Sequence, residues 1–419
     1  MNKTSKAVWV CSLMVLAGAC LVSAEDWTQW RGPKRDGKSA ETGLLKQWPA
    51  SGPTLLWKTT GLGIGYSGIT MSGKCIYTTG DQGDANYAIA LDRATGKKIW
   101  SVKLGKSGAP GWGGFAGPRS SVTIDGDRLY VVGQYGEFVC LNAADGKEIW
   151  RKHLVQDFGG KVPEWGYSES PLIDGDQVML TPGGSRGSVV ALNKLTGATI
   201  WQSKGITDEA HYSSLVLSDF GGTRHYVQLT AEHVFGVSAK DGAVLWKAVR
   251  KGRTAVIPTP IVQGDLVFVT SGYSVGCNAF KITKGASGYA AEQVYASKEF
   301  DNHHGGAILH EGHVYGHADS RGWICMEQAT GRIVWREREA AKKGSLVFAD
   351  GHFILREEDK SSPGRLILIA ATPAGYQEKG RFDQPDRSDK NSWTHPVVSD
   401  GRLYVRDQDL LLCYDVKAK

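Results

Sequence analysis

Thr95-Gly96-Lys97-Lys98-Ile99-Trp100 is the first of five copies of one six-residue phrase in this 419-residue sequence. The phrase begins with Thr or Asp, continues with Gly and three variable residues, and ends with Trp. The other copies are Asp145–Trp150, Thr196–Trp201, Asp241–Trp246 and Thr330–Trp335. Successive Trp residues are 50, 51, 45 and 89 residues apart, and the last step is about two ordinary ones. This period is typical of propellers and solenoids, whose units bury their faces against one another.

An earlier turn in each unit gives the number of units. Short apolar runs lead into Asp-Gly or an equivalent turn and then into another β-rich run, as in Val122-Thr-Ile-Asp125-Gly126. This pattern predicts a hairpin, with positive φ at both central residues of a type I′ turn. The turn recurs eight times, near Gly73, Gly126, Gly175, Gly221, Gly264, Gly312, Gly351 and Gly401.

The two ends of the repeat region complement each other. The eighth unit stops after its third strand, Leu410–Asp415, whereas Gly52–Lys58 has the pattern of a fourth strand and precedes the first unit. We therefore predict an all-β, eight-bladed propeller of four-stranded antiparallel blades, closed by the N-terminal strand completing the last blade.

Tryptophans at the repeated position suit packing between adjacent blades, with the indole N–H bonded to a neighbouring carbonyl. Tyr295 and Phe382 take this position in blades five and seven. The predicted blade-docking tryptophans are Trp57, Trp100, Trp150, Trp201, Trp246 and Trp335.

Residues 1–24 have two lysines, an apolar stretch and Val22-Ser23-Ala24, which together predict a signal peptide cleaved after Ala24. A lipoprotein signal with acylation at Cys20 is the alternative. Residues 25–51 are predicted to be a leader that packs on the ring, and 52–419 a single propeller. We expect a periplasmic or secreted protein without a transmembrane segment.

The distribution of charge and the spacing of the cysteines exclude a basic nucleic-acid-binding run and a Cys-x-x-Cys motif. The formal net charge of +6 is spread along the chain without a basic run, so we expect no nucleic-acid partner. The cysteines beyond the signal form no Cys-x-x-Cys or adjacent pair, and we expect them to be buried, unpaired side chains.

Loops that begin the innermost strands of a propeller converge on its central channel. Aligning the units predicts a mixed-charge mouth where Arg119 and Lys343 could hold an anion, although a solvated polar rim would have the same composition. The candidate ligand- or partner-binding residues are Tyr66, Arg119, Trp165, Glu169, Arg186, His211, His304, Lys343 and His395.

No catalytic residues are assigned, because a predicted all-β fold offers no strand-to-helix turn on which a nucleophile elbow or a Walker-type phosphate loop could be built. Blade six is rich in histidine, and His313 and His317 would share one face of a strand. Such alternation could bind Zn²⁺ or Cu²⁺, but strand histidines are more often surface or core groups, and we assign no metal site.

The phrase Ala-Leu-Asp92-x-x-Thr95-Gly96-Lys97-x-x-Trp100 resembles the quinoprotein, or PQQ-like, repeat. One branch of that superfamily contains dehydrogenases that use pyrroloquinoline quinone (PQQ). The resemblance to them would imply an adjacent-cysteine ring, a calcium held by Glu, Asn and Asp, and a catalytic Asp, none of which we can match here. The other branch contains BamB, a subunit of the outer-membrane β-barrel assembly machinery that has no cofactor and binds a protein partner. The chain is closer in character to this branch.

We therefore expect no cofactor and a binding scaffold for an envelope protein or peptide. The alternative is a reduced PQQ-dependent alcohol dehydrogenase-like oxidoreductase, with Arg119, Arg186 or Lys343 as counter-charges to the quinone. A small polar or carbohydrate ligand is a third possibility that the sequence does not separate from the first.

Overall fold

The computed structural model describes residues 26–111 and 114–418, so the predicted signal peptide and Cys20 lie outside the described residues. The described chain forms eight sheets and contains no α-helix. Four strands make each blade, and a short leader strand is added to the seventh sheet. The eight-bladed, all-β propeller predicted from the repeat is confirmed. No helix long and apolar enough to cross a membrane occurs in these residues.

The 33 strands follow the blade order along the chain. Two lie in the N-terminal segment: β1 (Lys38–Ser39) and β2 (Thr54–Thr59). Blade one has β3 (Thr70–Ser72), β4 (Cys75–Gln82), β5 (Ala85–Asp92) and β6 (Lys98–Lys106); blade two has β7 (Thr123–Asp125), β8 (Arg128–Val132), β9 (Glu137–Asn142) and β10 (Glu148–His153). Blade three has β11 (Leu172–Asp174), β12 (Gln177–Leu180), β13 (Val190–Asn193) and β14 (Thr199–Gln202); blade four has β15 (Val216–Phe220), β16 (Thr223–Leu229), β17 (His233–Ser238) and β18 (Val244–Val249). Blade five has β19 (Ile261–Gln263), β20 (Leu266–Ser271), β21 (Gly276–Gly285) and β22 (Gly288–Ser297); blade six has β23 (Ala307–His310), β24 (His313–Ala318), β25 (Gly322–Glu327) and β26 (Ile333–Glu337). Blade seven has β27 (Gly344–Ala349), β28 (His352–Glu357), β29 (Leu366–Ala370) and β30 (Glu378–Phe382); blade eight has β31 (Val397–Ser399), β32 (Arg402–Asp407) and β33 (Leu410–Asp415).

Strand β2 closes the ring by pairing antiparallel with β33, which places Trp57 opposite Cys413. A bulge precedes Trp57 in this pairing, and the outer strands of the other blades carry a bulge at the corresponding position. The closing strand therefore has the same local geometry as a strand made within one blade. The predicted completion of the last blade is confirmed.

The eight predicted hairpins are present, but they are of two kinds. At Asp400-Gly401 and Asp350-Gly351 both central residues have positive φ, as a type I′ turn requires. At Gly126 the hairpin pairs Asp125 with Arg128, so Gly is the first central residue and has φ 59°, which is type II′ geometry. The expectation of type I′ was wrong for such turns, because the register shifts Gly from the second central position to the first.

Where most adjacent blades meet, the aromatic residue at the Trp position of one blade packs on the Gly of the repeated phrase in the next blade. A Cβ built on Gly242 of blade four would lie 2.4 Å from Cε3 of Trp201 in blade three, and the same relation joins Gly96 to Trp57 at 2.6 Å. In blade seven the strand register puts Gly380 at the Trp position, so the prediction of Phe382 there was wrong by two residues. Phe382 nevertheless makes a similar contact with Gly52, the segment that leads into β2 of blade eight, at 2.5 Å from its Cγ. Among the described residues, six of the eight blade interfaces contain such a pair, whereas Trp246 and Trp335 contact no glycine of the next blade. The pairing explains why Gly and Trp recur together in the phrase.

Hydrogen bonds fix several of these rings. The indole N–H groups of Trp100 and Trp150 donate to the carbonyl oxygens of Ala143 and Lys194 in the next blade, at 3.2 and 3.0 Å. Trp246 differs, since its N–H donates to Nδ1 of His225 in its own blade at 3.1 Å.

Four of the cysteines are buried and unpaired, whereas Cys75 is only half-buried. The expectation of complete burial was therefore wrong for Cys75.

We predict that Gly242→Ala destabilises the protein more than Gly351→Ala. Both glycines have positive φ, 71° and 77°, so both substitutions cost roughly 1 kcal/mol of backbone strain. Only Gly242 contacts a ring, because the Cβ of Gly351 would meet nothing within 4 Å. Overpacking against Trp201 should add about 1–3 kcal/mol. Chemical unfolding measures the difference in the free energy of unfolding between the two variants. Equal unfolding midpoints would contradict the tight packing of the Trp201 ring on Gly242.

Candidate functional site

A cavity of about 400 Å³ lies at one mouth of the central channel. It is lined by residues from the loops that precede the inner strands, together with residues from loops between the second and third strands. The lining includes Trp30, Tyr66, Phe115, Arg119, Trp165, Ser168, Tyr212, Tyr273, His303, His304, Lys343, Glu358, Asp359 and Trp393. Its volume falls in the range of small-molecule sites, and its lining is mainly aromatic with a few polar groups.

The floor of the cavity comes from the leader segment. Trp30 donates its indole N–H to Oγ1 of Thr259 at 3.1 Å, and its ring lies 4.8 Å from that of His395. The neighbouring Arg35 is buried and donates to the carbonyl oxygens of Ser170 and Pro171, both at 2.9 Å. The leader is thus held against blades on several sides of the ring.

One side of the cavity is a stacked wall, defined here as Arg119, Tyr66, Trp393, His304 and His303. The guanidinium carbon of Arg119 is 5.1 Å from the centre of the Tyr66 ring, which stacks on Trp393 at 4.4 Å. Trp393 stacks on His304 at 4.1 Å, and His304 lies 3.6 Å from His303. The wall joins four blades, since these side chains come from loops of blades one, two, six and eight.

The ends of the wall differ in charge. Arg119 donates to the carbonyl oxygens of Gly117 and Phe115, at 2.8 and 2.6 Å, and forms no ion pair with a described carboxylate. Burial lowers the pKa of Arg119 to about 10, so the side chain remains cationic at neutral pH. An unpaired cation therefore borders one end of the cavity.

Lys343 is neutralised at the opposite end. Its Nζ lies 2.9 Å from Oδ1 of Asp319 and 3.6 Å from Oε1 of Glu358, and it donates to Nδ1 of His303 at 2.7 Å. Because Nδ1 of His303 accepts, the ring proton is on Nε2, which donates to the hydroxyl of Tyr273 at 2.9 Å. Burial, with His304 and Lys343 nearby, lowers the pKa of His303 to about 2.

His304 is also neutral and oriented. Its Nδ1 donates to Oε1 of Glu358 at 3.4 Å, which leaves Nε2 as an acceptor without a partner among the described residues. Burial, with Lys343 and Arg119 nearby, lowers the pKa of His304 well below its ordinary value. Burial raises the pKa of Glu358, whose Oε2 has no hydrogen-bond partner in the described structure. This end of the cavity is therefore short of hydrogen-bond donors.

Two aromatic lining residues have strained backbones. Phe115 and Tyr273 both have φ 59°, in a region that bulky side chains rarely adopt and that costs about 1–3 kcal/mol each. Surrounding contacts must hold these conformations, and strain of this kind concentrates at binding sites. The strained backbones therefore indicate that the cavity is a candidate binding site, independently of its volume.

Five of the nine candidate residues line the cavity: Tyr66, Arg119, Trp165, His304 and Lys343. The remaining four do not. Glu169 is buried behind it and accepts from the backbone N–H groups of Thr181 and Leu215, and His395 lies beneath Trp30. His211 packs beside Tyr212, and Arg186 is exposed in the loop between β12 and β13, where it donates to the carbonyl oxygen of Asp157.

The candidate list omitted several lining residues, notably Tyr212, Tyr273 and Trp393. Tyr212 directly follows the aligned position of blade four, and Trp393 precedes that of blade eight by two residues, so a window of two residues around each position would have included both. Tyr273 lies in the turn between β20 and β21, and no repeat signal identifies it.

The described histidines of blade six divide between two places. His310 and His313 are at the hairpin turn, where His310 packs on Phe348, whereas His317 is buried at the far end of β24. Within the described ranges, no group of three His, Cys, Asp or Glu side chains is arranged to hold a metal ion.

The site does not fit a tricarboxylated quinone with its calcium. Two basic side chains, Arg119 and Lys343, line the cavity, and Lys343 already faces Asp319 and Glu358. The described cysteines are unpaired, and four of the five are buried. The described lining therefore offers Arg119 as its one unpaired cation for three carboxylates, and we derive no chemistry through that cofactor.

We predict that the protein loses stability as the pH falls below 6.5. Burial, with Arg31 nearby, lowers the pKa of His395 from 6.5 to about 3, so the unfolded chain binds a proton that the folded chain does not. This difference reduces the free energy of unfolding by up to about 1.4 kcal/mol per pH unit over that interval. Thermal unfolding across this range should show a smaller dependence of stability on pH for His395→Gln than for wild type. Parallel slopes for wild type and His395→Gln would contradict the assignment.

Solved structures with the same fold include natural and designed propellers. The chain is similar to quinohemoprotein alcohol dehydrogenase from Comamonas testosteroni, with a TM-score of 0.59 and 13% identity over 94% of this chain and 81% of that one. It is also similar to the computationally designed Ika8 protein, with a TM-score of 0.59 and 11% identity over 86% of this chain and 99% of the designed one. At these identities the likeness shows the fold alone.

Curated relatives carry the name outer membrane protein assembly factor BamB. The Kangiella koreensis protein is 22% identical over 53% of this chain and 50% of its own length, and the Salmonella typhimurium protein is 33% identical over 29% of each. The Burkholderia pseudomallei protein is 24% identical over 58% of this chain and 71% of its length. The chain thus spans half or less of the first two relatives.

A family model described as outer membrane protein assembly factor BamB matches residues 84–337, more than half of the chain. The match covers the repeats on which the PQQ-like resemblance depends, and that resemblance is confirmed. The chain therefore belongs to this family of PQQ-like β-propellers.

Proposed function

We propose that this chain is an exported binding scaffold of the cell envelope, and that its ligand occupies the cavity at the channel mouth. The observation that carries the proposal is the cavity itself, with its aromatic wall, its unpaired Arg119 and its floor supplied by Trp30. The predicted signal peptide and the envelope names of the curated relatives support the location.

A binding role agrees with the chemistry of the lining better than a catalytic role. His304 and His303 are held neutral, and Lys343 is paired, but the described site shows no nucleophile next to a base. The rigid wall and the strained loops position side chains before a ligand arrives, which reduces the cost of ordering them on binding.

We predict that Ser168→Trp abolishes ligand binding without unfolding the ring. Ser168 lines the cavity, and an indole there would fill much of its volume. The low-molecular-weight fraction of an envelope extract should raise the thermal midpoint of wild type, since binding stabilises by about 2.7 kcal/mol at roughly 100 times Kd. Ser168→Trp should show no such rise.

Ser218→Trp is the matched control, because Ser218 lies within β15 and does not line the cavity. It should respond to the fraction as wild type does. If only the protein fraction stabilises wild type, and Ser168→Trp blocks that effect, the ligand of the cavity is a peptide segment and not a small molecule. If Ser168→Trp responds like wild type, the cavity is not the binding site.

A further inference from the structure

Arg119 is equipped to receive an anion. Two of the five N–H groups of a guanidinium are used here, on the carbonyl oxygens of Gly117 and Phe115. The remaining groups have no partner among the described residues, while the ring of Tyr66 supports the side chain. A half-buried guanidinium held in this way matches the planar geometry of a carboxylate.

The opposite end of the cavity favours neutral hydrogen-bond donors. Nε2 of His304 is an unpaired acceptor, and Asp359 adds a carboxylate at the rim. A ligand ammonium is disfavoured there, because the Lys343 ammonium already lies between Asp319 and Glu358. Hydroxyl groups supply donors without adding a second positive charge.

The intervening surface suits a ring with apolar C–H groups. Trp165, Phe115 and Trp30 border the cavity, and 49% of Phe115 is exposed. Tyr66 and His304 both stack on Trp393, so this part of the wall is already occupied in aromatic contacts. A flat aromatic ligand would have to compete for these faces, whereas the C–H groups of a saturated ring can pack on the aromatic surfaces of Trp165 and Phe115 that remain.

We propose that the cavity binds an anionic sugar, with the carboxylate on Arg119 and ring hydroxyls donating to His304 and Asp359. This inference rests on the proposed function, because it names the ligand class of the same cavity.

Isothermal titration of the whole protein with D-glucuronate, D-glucose and benzoate tests whether binding requires both the carboxylate and the hydroxylated, saturated ring. Glucuronate should bind saturably, and at least about tenfold more tightly than either glucose, which lacks the anion, or benzoate, which lacks the hydroxyls. Equal affinity for glucuronate and glucose, or tighter binding of benzoate, would overturn the proposal. These comparisons use wild-type protein and do not depend on the folding of a variant.

Arg119→Gln should weaken glucuronate binding by at least about tenfold and leave the affinity for glucose unchanged. Arg186→Gln is the matched control, because Arg186 is an exposed arginine outside the cavity. Equal effects of the two substitutions on glucuronate binding would count against a carboxylate at Arg119.

Failure of this inference can be distinguished from failure of the proposed function. If glucuronate gives no heat, but the low-molecular-weight fraction still stabilises wild type and not Ser168→Trp, the ligand class is wrong and the cavity remains the binding site. If glucuronate gives no heat and neither fraction of the extract stabilises wild type more than Ser168→Trp, both are wrong.

Discussion

The ring depends on one contact between the ends of the repeated phrase: an aromatic side chain of one blade packs on a glycine of the next. At Gly242 and Gly96 a side chain would overlap the ring of Trp201 or Trp57, and positive φ at both glycines already favours the absence of Cβ. In the described structure this contact joins six of the eight pairs of adjacent blades. The N-terminal segment makes it on both sides of the last blade, where Gly52 contacts Phe382 and Trp57 contacts Gly96, so the blade that closes the ring is docked like the others.

The sequence predicted the fold well because the fold is repeated. The eight turns, the blade order and the pairing of β2 with β33 all follow from the period and from the missing fourth strand of the last blade. Details that depend on strand register could not be predicted from the repeat. The turn at Gly126 is type II′ because the first strand stays paired up to Asp125, directly before the Gly, whereas at Gly401 it ends at Ser399, two residues before the Gly; the sequence Asp-Gly is the same at both.

The site was predicted only in part, for a different physical reason. Aligning repeats gives the height of a residue along the channel, and this sufficed for Tyr66, Arg119, His304 and Lys343, whereas Trp165 was found because it belongs to a long loop on the same face. It does not say which neighbouring position points inward. Glu169 occupies an aligned position but turns away to accept backbone N–H groups, whereas Trp393, two residues from an aligned position, points into the cavity and stacks between blades. Side-chain direction in loops is set by such individual contacts, which no repeat encodes.

The leader gives the molecule an order of assembly. Residues 26–59 are synthesised before any blade, but β2 can pair only once β33 is present. Trp30 can make its contacts only once Thr259 and His395 are present. The contacts at the floor of the cavity are therefore complete only when the last blade is present. A chain without this blade would have neither Trp393 in the wall nor His395 beneath Trp30, so ligand occupancy would report that the whole circle has been completed.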